Sequence, residues 1–156
     1  MTAKKTFTAP DVYWDDLALG DDWRTPARTI TEPDLVSWLN LTWLTEPLFT
    51  DLNDRSESAI AGRFVPGAMI FAFSEGLTFG AVKAKGLAFM HSDLEVKRPT
   101  FVGDTIQVHS TVTELRPTSK KGRGLARTRN DVINQHGEIV ISYTALRMML
   151  RRESAG

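Results

Sequence analysis

The chain has 156 residues, a length that suits one domain. It has no cysteine, which excludes disulfides, thiolate nucleophiles and Cys-ligated zinc or iron–sulfur sites. Nineteen Lys/Arg balance nineteen Asp/Glu, and a formal net charge of zero argues against a general nucleic-acid binder.

Met1–Pro10 carries Lys4 and Lys5 but no apolar core, so no secretory signal is expected, and residues 1–11 read as an N-terminal extension. Trp23–Ile30 reads as a strand. Thr31-Glu32-Pro33-Asp34 predicts a helix start: Thr31 caps, Asp34 stands at the third position, and the early Pro forfeits no hydrogen bond. Leu35, Val36, Trp38, Leu39 and Leu41 follow at helical spacing, and Pro47 ends the helix. Residues 50–62 read as a polar connection or a short exposed helix. Pro66 to about Lys83 predicts the second main helix. Ala68–Phe73 is apolar all the way round, which implies a helix surrounded by protein. Gly76 and Gly80 permit close backbone approach on one face, and Lys83, Lys85 and Gly86 mark the helix end. The most apolar stretch, Phe64–Phe73, is about half a membrane span, so a soluble, cytoplasmic protein is expected.

The period then becomes two. Ala88, Met90, Leu94 and Val96 point one way and Phe89, His91, Asp93, Glu95 and Lys97 the other. Gly103-Asp104 makes a turn, and Ile106, Val108 and Val112 mark the next inner face. Residues 116–124 form a polar loop, Leu125–Asn134 a strand, and His136-Gly137 a tight turn from which Ile139–Leu150 pairs back. Residues 151–156 read as a tail. The sum is α+β: one domain over residues 12–150, a long antiparallel sheet of about five strands wrapped around a central helix.

Several segments carry a resemblance. They are Tyr13-Trp14-Asp15-Asp16-Leu17-Ala18-Leu19-Gly20-Asp21, Thr29-Ile30-Thr31-Glu32 and Pro47-Leu48-Phe49-Thr50-Asp51. Phe64-Val65-Pro66-Gly67, Arg98-Pro99-Thr100-Phe101-Val102-Gly103-Asp104-Thr105 and Asn134-Gln135-His136-Gly137-Glu138 complete the set. In this order, over nearly the whole chain, they resemble the MaoC-like hydratase/dehydratase family, which has the hotdog fold. The resemblance implies a protein that binds acyl thioesters of coenzyme A or acyl carrier protein, with the carrier as part of the substrate and no separate cofactor. It also implies pairing of two hotdogs edge to edge, as a homodimer or with a related subunit.

Enoyl-thioester hydration needs a base to activate water and an acid to protonate the α-carbon. The family carries them in a segment reading Gly-Asp-x-Asn-Pro-Leu-His. The matching stretch here is Trp43-Leu44-Thr45-Glu46-Pro47-Leu48-Phe49. Anchored on Pro47-Leu48, the catalytic Asp falls on Leu44 and the catalytic His on Phe49, and neither transfers a proton. Losing each group costs about 10²–10⁴-fold. No His lies between residues 1 and 90, and His91, His109 and His136 read as surface or cross-strand residues without metal-ligand spacing. Glu46 is the one ionisable group in the segment and the candidate general base, with Thr45 to orient water. The other reading of Glu46 is a turn cap or a partner for an arginine such as Arg63.

Pro66-Gly67 heads the central helix, where backbone N–H groups suit a thioester carbonyl oxygen. Trp38, Trp43, Leu44 and Phe49 read as an apolar wall, so Trp43, Thr45, Phe49, Pro66 and Gly67 form the expected acyl-binding set. Residues 1–78 hold 6 Lys/Arg against 12 Asp/Glu and residues 79–156 hold 13 against 7. The acid-free loop with Arg116, Lys120, Lys121 and Arg123 is a candidate for coenzyme A phosphates, or else a solvated hairpin loop. Three functions stay open: altered chemistry through Glu46 in hydration or thioester hydrolysis, a non-catalytic acyl-binding module, and the non-catalytic subunit of a heteromeric dehydratase.

Overall fold

Local chemistry sets most element boundaries. A computed structural model describes residues 9–152; residues 1–8 of the expected extension and 153–156 of the expected tail lie outside the described residues. The chain begins with β1 (Asp11–Val12), a 3₁₀ turn at Trp14–Asp16, β2 (Asp22–Arg24) and β3 (Arg28–Thr29). The strand expected over 23–30 is therefore two pieces. Thr25 causes the break: its N–H donates to the Val108 carbonyl while its Oγ1 accepts from the Val108 N–H, and Pro26 adds no donor.

Helix α1 (Glu32–Thr42) starts as expected. The Asp34 N–H donates to Thr31 Oγ1 and the Thr31 N–H donates to the Asp34 carboxylate, a reciprocal cap. A one-turn helix, α2 (Pro47–Thr50), follows, and residues 51–62 are turns and irregular chain with no helix. Helix α3 (Gly67–Ala81) crosses the sheet. Its Met69 and Ile70 are fully buried against Ile30, Leu35, Ile106, Val108, Val132 and Val140.

Two expectations for α3 need correction. It ends at Ala81 because Val82 is already extended, and Lys83–Ala84 form β4, parallel to β1. Lys85 then pairs with Asp11 at 2.8 Å, so the lysines hold a strand contact and not a helix terminus. Nor does its own chain surround α3: Ala68, Ala72, Gly76 and Gly80 form an exposed stripe at i, i+4 spacing.

The remaining strands are β5 (Gly86–His91), β6 (Leu94–Val96), β7 (Thr105–Pro117), β8 (Arg123–Ile133) and β9 (Ile139–Leu150). The order is β2-β7-β8-β9-β5, with β3 also on β7 and β6 also on β9. The five columns match the five strands expected. Ile106, Val108 and Val112 face the helix as the alternation predicts. Gly103 (φ 97°) and Gly137 (φ 78°) take the left-handed turn positions that glycine adopts without strain. One expectation fails here as well. Every residue of β5 and β6 is exposed because these strands are the edge, although Phe89 still meets Phe71 and Val96 approaches Gly67. Among the described residues no helix is long and apolar enough to cross a membrane.

Arg63 ties the helical half together. Its Nη2 lies 2.6 Å from Glu32 Oε1, its Nε donates to both Glu32 oxygens, and its Nη1 donates to the Phe49 carbonyl. These bonds hold the Glu32 carboxyl below the usual carboxylate range. A depressed folded-state value stabilises the protein above the ordinary carboxylate pKa, and the gain is lost as pH falls through the lower folded value. Glu32→Gln is therefore expected to lower Tm at about pH 7, with the deficit shrinking as pH falls below the ordinary carboxylate range, read by thermal melts across that span. Ile70→Ala is expected to cost about 2–5 kcal/mol in denaturant unfolding, because a fully buried core side chain is lost and a gap is left in its place.

Candidate functional site

The site forms where α3 begins. Val65 N–H donates to the Thr100 carbonyl at 2.9 Å, and Val102 N–H to the Arg63 carbonyl at 2.9 Å. This short pairing sets Pro66 and Gly67 beside Arg98-Pro99-Thr100. Pro66 is the cap residue and Gly67 the first helical one. A Cβ on Gly67 would lie 2.8 Å from Val96 Cγ2, so glycine is what the approach of β6 allows. Among the described residues the Gly67 and Ala68 N–H groups have no acceptor. They are the donors that a helix start leaves open.

A cavity of about 280 Å³ opens at this helix head. Phe49, Phe64, Val96 and Ile141 line its apolar side, with Lys97 and Arg98 on its rim. Phe49 is 7% exposed and meets the Phe64 ring edge-on at 5.2 Å. Of the expected acyl-binding set, the structure brings Phe49, Pro66 and Gly67 together around this cavity. Trp43 and Thr45 do not line it.

Trp43 is 85% exposed and left-handed (φ 57°, ψ 28°). That conformation costs an L-residue on the order of 1 kcal/mol. Leu44 is half-buried. Glu46 is exposed and lines a different cleft, with Asp51, Asp54 and Glu57. It stands at the cap position of α2, but its side chain makes no cap hydrogen bond. Arg63, its alternative partner, is engaged by Glu32.

The basic loop sits far from the helix head. Strand β7 starts near α3's N-terminal end and runs 13 residues to Pro117, a length of roughly 40 Å. Arg116, Lys120, Lys121 and Arg123 therefore lie at the opposite end of the sheet. The cations next to the helix head are Lys97 and Arg98, which the sequence reading missed. Lys97 pairs with Glu95 at 2.9 Å and Arg98 lies 3.7 Å from Glu138. His91, His109 and His136 lie elsewhere, near Asp93, Asp22 and Gln135. No group of three or more His, Asp or Glu among the described residues is placed to hold a metal ion.

A second polar group escaped the sequence reading. Glu75, in the middle of α3, accepts from Tyr143 Oη at 2.8 Å and forms an ion pair with Arg147. Burial and the Glu75 charge push the Tyr143 phenol up, so it stays protonated and donates. The signal was present: a lone carboxylate in an apolar helix needs a partner.

Comparison with known proteins fits this architecture. Residues 18–143 match the family model for the FAS1-like dehydratase domain region. The (R)-specific enoyl-CoA hydratase of Rhodospirillum rubrum is 25% identical over 108 residues, 69% of this chain and 74% of that protein. Mesaconyl-CoA hydratase of Cereibacter sphaeroides is 38% identical over 58 residues, 37% of this chain but 17% of that protein. The crystal structure of a MaoC-like dehydratase from Rhodospirillum rubrum superposes with a TM-score of 0.82 at 24% identity, over 90% of this chain and 98% of that one. A Mycobacterium tuberculosis protein with a double hotdog fold gives 0.75 at 19% identity, over 90% of this chain and 44% of that one. The HadBC (3R-hydroxyacyl-ACP dehydratase) complex of Mycobacterium tuberculosis, C-terminally truncated, gives 0.68 at 16% identity, over 83% of this chain and 96% of that one. The sheet wrapped on α3 is a single hotdog, and the chain belongs to the FAS1-like dehydratase-region family of MaoC-like hydratases and dehydratases.

Proposed function

We propose that this chain binds acyl thioesters, of coenzyme A or of acyl carrier protein, at the helix head, and that ordinary enoyl hydration by it alone is absent or very weak. The observation that carries this reading is the pair of open N–H groups, Gly67 and Ala68, beside a cavity walled by Phe49. Two donors at a helix start suit a thioester carbonyl oxygen. Proton transfer has no group there. Leu44 and Phe49 occupy the acid–base positions of the family segment, and Glu46 faces another cleft.

In this reading the chain works as the non-catalytic subunit beside a related hotdog that carries the Asp and His, or as a homodimer that binds acyl thioesters without turning them over. The exposed edge with Phe89, Met90, Leu94 and Val96 and the small-residue stripe of α3 both suit a second hotdog. The double-hotdog protein and the two-component dehydratase among its structural neighbours support pairing. Lys97 and Arg98 are placed to meet carrier phosphates at the cavity rim. A two-fold edge pair reverses the second copy, which brings that copy's 116–123 loop to this end as well.

Acyl-CoAs at 100 times their Kd are expected to add about 2.7 kcal/mol of stability in a thermal-shift panel. Crotonyl-CoA and longer enoyl-CoAs are expected to keep their enoyl absorbance with the purified chain, and hydration near ordinary enzyme rates would sink the non-catalytic reading. If slow turnover is seen, Glu46→Gln is expected to leave it unchanged. Gly67→Ala places a methyl against Val96 and is expected to weaken acyl-CoA binding tenfold or more in titration calorimetry, with Lys97→Ala weakening it less.

A further inference from the structure

Four buried side-chain atoms among the described residues have no hydrogen-bond partner, and three of them stand on one rung of the sheet. They are Trp23 Nε1, Ser110 Oγ and Asn130 Oδ1. Trp23 on β2 lies opposite Ser110 on β7, and Ser110 lies opposite Asn130 on β8. Ser110 and Asn130 are fully buried, in the same inward alternation as Val108 and Val132. Strand β2 is the far edge from β5, so a second hotdog on β5 covers none of the three.

The neighbouring side chains do not answer them. Asn130 Nδ2 donates to Thr128 Oγ1 at 3.1 Å, which leaves the amide oxygen over. On α3, the Ser74 and Thr78 hydroxyls donate to the Ile70 and Ser74 carbonyls at 2.7 and 3.0 Å. Tyr143, next along the rung, donates its hydroxyl to Glu75. Side chains directly opposite one another lie about 5 Å apart at Cβ, and polar groups too far apart for a direct bond are the ones that water bridges.

The three atoms select the ligand. An indole N–H only donates, an amide oxygen only accepts, and a hydroxyl does either. The ligand must therefore accept from Trp23 and donate to Asn130. An anion brings no donor for Asn130, an ammonium group no acceptor for Trp23, and a hydrocarbon neither, and a buried polar group left unmet is costly. Room is the other condition. Trp23, Thr78 and Thr128 wall a cavity of about 40 Å³ whose remaining lining is mostly apolar, with Val12, Leu17 and Met149 among it. A water needs about 10–15 Å³ of such space and two to four polar partners, whereas an aromatic guest takes about 150 Å³.

We propose that this hotdog carries an internal water site beneath α3. One water bridges Ser110 Oγ and Asn130 Oδ1, and a second, in the cavity, accepts from Trp23 Nε1. The rung is a fixed wet seam in an otherwise apolar core. It does not depend on thioester binding at the helix head.

A high-resolution crystal structure of the full chain without ligand is the first test. It is expected to show a water oxygen within about 3.2 Å of both Ser110 Oγ and Asn130 Oδ1 and another on Trp23 Nε1. In solution, relaxation dispersion of water ¹⁷O counts long-lived internal waters and is blind to protons relayed by hydroxyl groups. Ser110→Ala/Asn130→Leu, which replaces both polar groups with apolar ones, is expected to lose at least one long-lived water. The ¹⁵N-labelled chain is expected to give a cross-peak between water and the Trp23 indole N–H that survives Ser110→Ala. Direct bonding of Ser110 or Trp23 to Asn130 Oδ1 in the crystal, a rung without water, or a ¹⁷O dispersion unchanged by the double variant would each overturn the proposal. The crystal structure decides the case even if the double variant does not fold.

Discussion

The approach of Val96 to Gly67 governs the candidate site. Strand β6 reaches this point because it pairs with β9, Leu94 opposite Tyr143 and Val96 opposite Ile141. The Lys97 and Arg98 N–H groups continue onto the Val140 carbonyl. Once β6 is fixed there, the helix start has room only for glycine, and the chain after Val96 must pass the open N–H groups of α3. Donors, apolar wall and two cations are therefore adjacent for one steric reason. A side chain at residue 67 would meet Val96 and force one of the two elements to shift.

In the proposed reading, this also explains how the family frame stands without acid–base groups. The helix-head donors belong to the backbone, and the backbone follows from sheet and helix packing. Proton-transfer groups are side chains and can be replaced singly. Phe49 meets Phe64 edge-on, and its backbone carbonyl accepts from Arg63. Trp43 keeps the left-handed turn that glycine would adopt freely.

Legibility in the sequence followed the range of the interactions. The Thr31–Asp34 cap, the Gly103 and Gly137 turns and the bounds of β9 come from residues a few positions apart, and all could be read directly. The covering of β5, β6 and α3 could not, because period-two or all-round apolarity says that a face is covered and not by which chain. Lys83 and Lys85 looked like helix-end cations, but the extended Val82 and the pairing of β4 with β1 claimed them. The sequence marked the basic loop as a phosphate candidate without saying which end of the sheet it occupies, and the length of β7 decides that. Of the site residues, Pro66, Gly67 and Phe49 were legible from one motif each, whereas Lys97 and Arg98 had no local signal and Glu75 had one that went unused.

The charge split between the two halves acquires a spatial meaning. Glu46, Asp51, Asp54 and Glu57 cluster in the loop near the helix head. Arg116, Lys120, Lys121 and Arg123 lie at the other end of the sheet, beyond the length of β7. A parallel neighbour would set acidic end beside acidic end. A two-fold neighbour on β5 reverses the strands and sets the acidic end of one hotdog toward the basic end of the other. Such complementarity steers encounter and fixes orientation more than it adds affinity. An antiparallel pair is the arrangement in which these two clusters face each other.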